Sequence, residues 1–511
     1  MTADMLSRRH FLAAVSTVWA SSTARAGTRS LRVVGATGLI GRDALASHHL
    51  IRSLEVGEGL FRVGPLGGLE PGLAIQSETS TDGSTWRFRL SPTALFHDGT
   101  KVSAEIVASA LSRLRQTAAS ALYRTPTASI AAEDDTVVIR LDKPFAILPA
   151  FLAADTSLIL APSSYTATGS LGVPIGTGAH RVDAVIDNDI LELSSAKDQT
   201  AFGSITNLRY TAVTDAETRA RMVEAGDAEI AYVLSPIATE RLARNSSLRV
   251  VKTPGPRVRY VMVNAADARL ADIRVRRALS LALDRATAAR IVLRNPDAAA
   301  TRLMPPILPE WTPSDIAPLE YNVAKAEALL QEAGWEQQTE GPRQRGGLRL
   351  AFTLSTYAMR PELAPLATVL QAQWRKIGVD VSIEMVTPER ILQKSRNGSL
   401  ELALMIRSYL AVPDPVATLS EDFLSTSSAR GWGAVGWTSH DLDEAMLGYQ
   451  ATSAETVRAR ARQTIMRILH DELPIVPHSW YEHMLAHTKA VTDVTGDPFE
   501  SSFRISRMRW A

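Results

Sequence analysis

Trp86-Arg87-Phe88-Arg89-Leu90, then Phe96-His97-Asp98-Gly99-Thr100 and Ser103-Ala104-Glu105-Ile106-Val107-Ala108-Ser109-Ala110-Leu111, reads as a strand, a turn and a helix. Large apolar side chains alternate with arginines in the first segment, the period of a half-buried strand. Asp98-Gly99 supplies the positive φ of a tight turn. Ser103 is placed to cap a helix whose apolar positions recur at Ile106, Val107, Ala110, Leu111 and Leu114.

Working outward, Asp272-Ile273-Arg274-Val275-Arg276-Arg277-Ala278-Leu279 through Asp284-Arg285 predicts a second helix. Ala278, Leu279, Ala282 and Leu283 form its apolar stripe, and Arg274, Arg276, Arg277 and Arg285 are expected on a solvated face. Tyr321-Asn322-Val323 to Ala333-Gly334-Trp335 predicts a helix begun by Asn322 and ended by Gly334, with Val323, Ala326, Leu330 and Ala333 on one side. Gln371 to Val381 predicts a helix leading into a strand. Together with Pro174-Ile175-Gly176-Thr177-Gly178 and Asp471-Glu472-Leu473-Pro474-Ile475-Val476-Pro477, these segments, in this order from Trp86 to Pro477, resemble the family 5 extracellular solute-binding proteins, the peptide and nickel receptors of ABC importers.

The resemblance implies an α/β, bilobal periplasmic-binding-protein fold: two lobes joined by a hinge, with a subdomain inserted in the first lobe. By analogy lobe I combines 27–45, 175–255 and 480–511, the inserted subdomain is 46–174, and lobe II is 256–479. Thr253-Pro254-Gly255-Pro256 reads as hinge or linker by composition. The expected partners are a small-molecule or peptide ligand, which the lobes close upon, and an ABC permease of the inner membrane. A monomer without enzymatic activity or cofactor is expected.

Ligand class is addressed most directly by Arg407-Ser408-Tyr409-Leu410-Ala411-Val412-Pro413-Asp414-Pro415. The peptide-binding branch carries an aspartate four residues before the proline of its Asp-Pro pair, holding the peptide's α-amino group. Here that position is Ala411. Arg407, Tyr409, Ala411, Asp414 and Pro415 resemble the nickel branch instead, yet its pocket arginine falls at Asp155, and no histidine lies between Pro415 and Trp437 to reach a metal. The expected ligand-lining residues are Arg407, for a bidentate bond to a carboxylate, Tyr409 and Trp432 as aromatic walls, Asp155 toward a cationic group, and Tyr123. Trp437 fits a cleft wall or the core equally.

Ser7-Arg8-Arg9-His10-Phe11-Leu12 precedes a short apolar run to Ala20 and then Ala24-Arg25-Ala26, the order of a twin-arginine signal peptide over 1–26. The run is far short of the roughly 20 residues that span a bilayer, so a soluble periplasmic protein starting near Gly27 is expected. Removing that leader leaves 52 basic against 53 acidic side chains, which predicts no attraction to nucleic acid. Cysteine is absent, which excludes disulfides, thiolate metal sites, a cysteine nucleophile and a lipidated N-terminal cysteine.

Leu31-Arg32-Val33-Val34-Gly35-Ala36-Thr37-Gly38-Leu39-Ile40-Gly41 offers one competing reading, the strand, glycine turn and helix start of an exported NAD(P)-dependent oxidoreductase, with Glu55 at a ribose-holding distance. Against it, 54–72 carries eight glycines and prolines where a second buried strand is required.

Overall fold

A computed structural model describes residues 29–41, 43–196, 205–427 and 432–511; the twin-arginine leader and Gly431 lie outside them. Ser103 caps the helix Ala104–Arg115 by accepting from Ile106 N, and Asn322 caps Val323–Glu332 by accepting from Lys325 N. Gly334 follows that helix with φ +80°, as its place after the last apolar position predicts.

Ten strands form one mixed sheet. Its central pair is Leu248–Val263 and Ile475–Thr488, antiparallel over most of their length. On one side follow Ile230–Tyr232, Ser30–Gly35, Asn207–Ala212, Ile190–Ser195 and His180–Ile186. On the other side follow Leu402–Ser408, Ala351–Thr356 and Asp380–Met385. Ile230–Tyr232 pairs with the later half of Ile475–Thr488, and Leu402–Ser408 pairs with the later half of Leu248–Val263, so the two long strands run from one half of the sheet into the other. The segment Thr253–Pro256 lies within the first of them, where pairing slips between Pro254 and Val258. Proline cannot donate to a ladder, which explains a slip at that point.

Residues 74–141 supply a separate four-stranded antiparallel sheet, in the order Ala74–Thr79, Thr85–Leu90, Thr136–Leu141 and Thr127–Glu133, covered by the helix Ala104–Arg115. In Thr85–Leu90, Phe88 and Leu90 point into the core, Trp86 stacks on Phe88 at 5.9 Å, and Arg87 and Arg89 are exposed, as the alternation predicts. Buried apolar side chains of this unit are continuous with those of 258–481, while a second cluster containing Leu31, Leu54, Leu160, Tyr210 and Tyr232 lies under the other half of the large sheet.

The arginine-rich helix corrects one expectation. Arg276 and Arg285 are buried, not solvated. Arg276 donates to the carbonyls of Leu270, Ala271 and Glu472, and Arg285 to those of Ser280 and Pro477. Each guanidinium satisfies carbonyls at element ends that would otherwise be buried unpaired, which offsets its own desolvation.

The dinucleotide reading fails on geometry as well. A Cβ on Gly35 would lie 2.2 Å from the Tyr210 hydroxyl and one on Gly38 2.4 Å from the Asn188 carbonyl oxygen, so these glycines admit protein neighbours. Glu55 accepts from Ser502 Oγ, Ser506 N and Ser506 Oγ, and so holds the C-terminal segment instead of a ribose.

Candidate functional site

At the slip in the central strands, Gly255 leaves room that a Cβ would close, since that atom would fall 2.7 Å from His483 Nε2. Two residues on, Arg257 points at Glu500, donating from Nε to Oε1 at 2.5 Å. His483 Nε2 lies 2.5 Å from the same oxygen, and Ser408 Oγ 3.5 Å from Oε2. Glu500 is presented by a C-terminal turn built around Asp497, whose carboxylate accepts from Phe499 N, Ser501 N, Ser502 N and Arg504 Nη2. The stacking of Phe503 on Tyr232, centroids 4.1 Å apart, fixes that turn against the sheet. Burial alone would raise the Glu500 carboxyl, but the charges of Arg257 and His483 outweigh it and hold the group well below the ordinary range.

The charges of Arg257 and Glu500 are felt by His49, on the helix Ala44–Ser53. Its Nδ1 lies 2.8 Å from Asp155 Oδ2, and Arg52 donates to Asp155 Oδ1 at 2.9 Å. His49 keeps 52% of its side-chain surface exposed although the surrounding protein desolvates it, so it sits in a recess that solvent enters. Burial pulls its pKa down, and the bond to Asp155 and that group's charge more than restore it, leaving the imidazole above its ordinary value. Arg257 and Glu500 act on it from across the recess, the first lowering and the second raising its pKa. In Asp155 the upward effect of burial is outweighed by Arg52 and His49, and the carboxylate stays ionised.

Of the residues expected to line the ligand, only Asp155 belongs to this cluster, already bonded to two cations. Arg407 lies at the adjoining end of the strand Leu402–Ser408, where Ser408 is opposite Arg257. Its guanidinium donates from Nε and Nη2 to the two oxygens of Asp422, both at 2.9 Å, and Nη2 lies 3.1 Å from Glu421. Tyr409 is fully buried, its backbone N bonded to the Pro256 carbonyl and its hydroxyl without a protein partner. Arg407 and Tyr409 therefore face the protein interior and not open solvent, because the helix Pro415–Phe423 brings Asp422 and Glu421 against them. Trp432 is half-buried, and its carbonyl accepts from the Tyr260 hydroxyl. Tyr123 is half exposed, next to Arg124, which reaches Glu421 at 3.5 Å. Trp437 belongs to the core, edge-on to Phe423 and donating to Glu472.

His49, Arg257, His483 and Glu500 are not among the residues expected from the sequence to line a ligand. The only local signal was the Thr253-Pro254-Gly255-Pro256 stretch beside Arg257. Among the described residues no group of three or more His, Asp or Glu side chains has a metal-holding arrangement. No helix among them is long and apolar enough to cross a membrane.

Comparison with known proteins bears on this arrangement. The model of the bacterial extracellular solute-binding proteins, family 5, matches residues 68–430. The dipeptide-binding protein of Escherichia coli (strain K12) is 23% identical over 452 residues, covering 80% of this chain and 81% of that protein. A glutathione-binding protein of Shigella flexneri serotype 5b is 26% identical over 286 residues, covering 54% of this chain and 56% of that one. Among solved structures, NikA from Brucella suis in complex with Fe(III)-EDTA superposes with a TM-score of 0.83 at 21% identity, over 95% of this chain and all of that one.

Proposed function

Because the chain belongs to the bacterial extracellular solute-binding proteins of family 5, we propose that it is the periplasmic receptor of an ABC importer and captures a small polar solute in the recess beside its central strands. The observation that carries this reading is the recess itself. Arg257, His483 and Glu500 meet where two long strands pass between the halves of the sheet, and the charges of Arg257 and Glu500 reach the paired His49 and Asp155. A solute held there touches both halves at once, which is the condition for a ligand to favour a closed state over an open one.

In this reading lobe I comprises 27–45, 175–255 and 480–511, the inserted subdomain 46–174, and lobe II 256–479. The strand crossings near 253–257 and 480–482 act as the hinge. The twin-arginine leader delivers a folded monomer to the periplasm, and the receptor hands its solute to an inner-membrane permease without performing chemistry. The relatives are named for a dipeptide and for glutathione, and a structural neighbour holds a metal chelate. Ala411 at the position of the peptide-branch aspartate disfavours a peptide bound through its ammonium, because an unpaired buried charge costs several kcal/mol. A peptide-like acid or a chelate remains the proposed class.

The test is native mass spectrometry of protein purified from periplasm, followed by solution scattering. A small co-purified solute is expected. Adding it back contracts the molecule and raises the thermal midpoint, by about 2.7 kcal/mol of added stability at 100 times Kd. Tight binding at unchanged dimensions refutes the two-lobe clamp.

A further inference from the structure

The inserted subdomain is rooted in lobe I. Ile51, Leu54 and Leu160 share a buried cluster with Leu31 and Tyr210, and Thr177 Oγ1 donates to Glu58 Oε2 at 2.7 Å. A hinge at 253–257 and 480–482 therefore carries the insert along with lobe I, and whatever the insert touches in lobe II must part when the lobes part. It meets lobe II at Ala146, whose N donates to the Gln450 carbonyl at 2.7 Å, and at Arg124, whose Nη2 lies 3.5 Å from Glu421 Oε2. Both contacts fall on one surface: Gln450 Nε2 donates to Ser420 Oγ at 2.7 Å, tying the helix His440–Ala451 to Pro415–Phe423 beside Glu421. Within lobe II a single guanidinium, Arg407, faces two carboxylates, Asp422 at 2.9 Å and Glu421 at 3.1 Å. Arg124 brings a second cation. Its charge reaches the buried acid too: burial pushes Asp422 up to about 6, Arg407 draws it down, Glu421 raises it, and Arg124 lowers it again.

Resting on the receptor reading above, we propose that Arg124 with Glu421 and Ala146 with Gln450 form a latch between the inserted subdomain and lobe II, made on closure and broken on opening, that favours the closed state independently of the solute. With the lobes apart, two acids of lobe II share one arginine. With them together, the charges balance and the Ala146 N–H and the Gln450 carbonyl satisfy each other. The insert is thus a working part of the clamp and not a passive extension of lobe I. Its contribution to closure is the same for every solute, because no part of the solute takes part in it. The latch therefore sets how tightly the receptor holds its guests as a group, while the recess chooses among them.

The experiment uses the mature chain, whose lack of cysteine makes introduced thiols unique. The double variant Ala146→Cys with Gln450→Cys is joined by a short bis-methanethiosulfonate, at a rate that follows the closed population. Ala146→Cys alone is labelled with a polyethylene-glycol maleimide, at a rate that follows the open one. The double variant is expected to cross-link within the chain, and the single variant to label slowly. Arg124→Gln, at a side chain 28% exposed and outside the Arg407–Asp422 pair, should lower the ratio of the two rates about twofold to fivefold, the worth of a part-exposed ion pair, and leave the thermal midpoint unchanged. High salt should lower the ratio of the parent variants in the same direction. The latch is overturned if no cross-link forms, if cross-linking proceeds while Ala146→Cys never labels, since the contact is then permanent, or if Arg124→Gln keeps the ratio, with or without a lower midpoint. Native mass spectrometry keeps the two readings apart. A co-purified solute beside a permanent contact removes the latch and leaves the receptor, whereas a ratio that responds to Arg124→Gln in a chain with no co-purified solute keeps the moving contact and removes the receptor.

Discussion

Arg407 shows how one side chain changes meaning once its neighbours are known. Its sequence setting suggests an anchor for a ligand carboxylate, but its fork is closed on Asp422, a residue with 1% side-chain exposure, and Glu421 adds a second acid. Removing one member of a buried, doubly hydrogen-bonded pair leaves the other charged and unsolvated, a loss of about 3 to 5 kcal/mol. Arg407→Ala is therefore expected to lower the urea midpoint sharply while the affinity for the physiological solute changes little. A variant that keeps its midpoint and loses affinity would return Arg407 to the ligand. The contrast with His49 is instructive. That residue stands in an unremarkable His-His pair, and what gives it a role is that Asp155, Arg257 and Glu500 arrive from residues far apart in the chain. Spacing along a sequence carries no trace of such a meeting, which is why this cluster was not legible.

Elements were more legible than contacts, because caps and periodicity are local. Ser103, Asn322 and Gly334 do what their side chains or their lack of one predict, and the strand over Trp86–Leu90 keeps its alternation. Arg276, in the helix Ile273–Leu281, and Arg285, just after it, were misread for the opposite reason. Nothing in a helical wheel reveals that the carbonyls of Glu472 and Pro477 will end nearby and require donors. The Pro174–Gly178 turn was recognised only by resemblance, and its physical reason is now plain: a Cβ on Gly176 would lie 2.0 Å from the Val56 carbonyl oxygen, and one on Gly178 2.1 Å from that of Glu55. Both obstacles are backbone and cannot step aside. Gly178→Ala should force the two segments apart, breaking the bonds from Gly178 N to Val56 O and from His180 N to Glu55 O. A cost of about 1 to 3 kcal/mol or more is expected from such overpacking, measurable as a lower denaturation midpoint. Wild-type stability in Gly178→Ala would mean that this close approach does not exist in solution.

Over the whole molecule, buried histidines set the response to acid. Burial pushes His48 down to about 4, and burial together with Arg285 and Arg259 pushes His478 down to about 3. Both values lie below that of an unfolded histidine, so the neutral rings contribute their full stability above about pH 6.5 and lose it as pH falls toward the folded values, on the order of 3 kcal/mol each by about pH 4. Urea midpoints should therefore fall steeply between pH 6.5 and pH 4, and His48→Gln should fall less steeply than wild type. Identical slopes would show that His48 is not held neutral. The family and the α/β sheet were legible at this scale because their signals are spread along the chain.

The central pair of strands also dictates when the molecule can fold. Ile475–Thr488 is inserted between Leu248–Val263 and Ile230–Tyr232, so the middle of the sheet is supplied by a segment made more than 200 residues after its partners. Until it arrives, Ile230–Tyr232 and the first half of Leu248–Val263 stand as unpaired edges, templates for pairing with other chains. Closing them requires contacts across more than 200 residues, a slow step that exposes nascent chains to aggregation. A polypeptide cut short before residue 475 thus lacks the strand that joins the two halves of the large sheet.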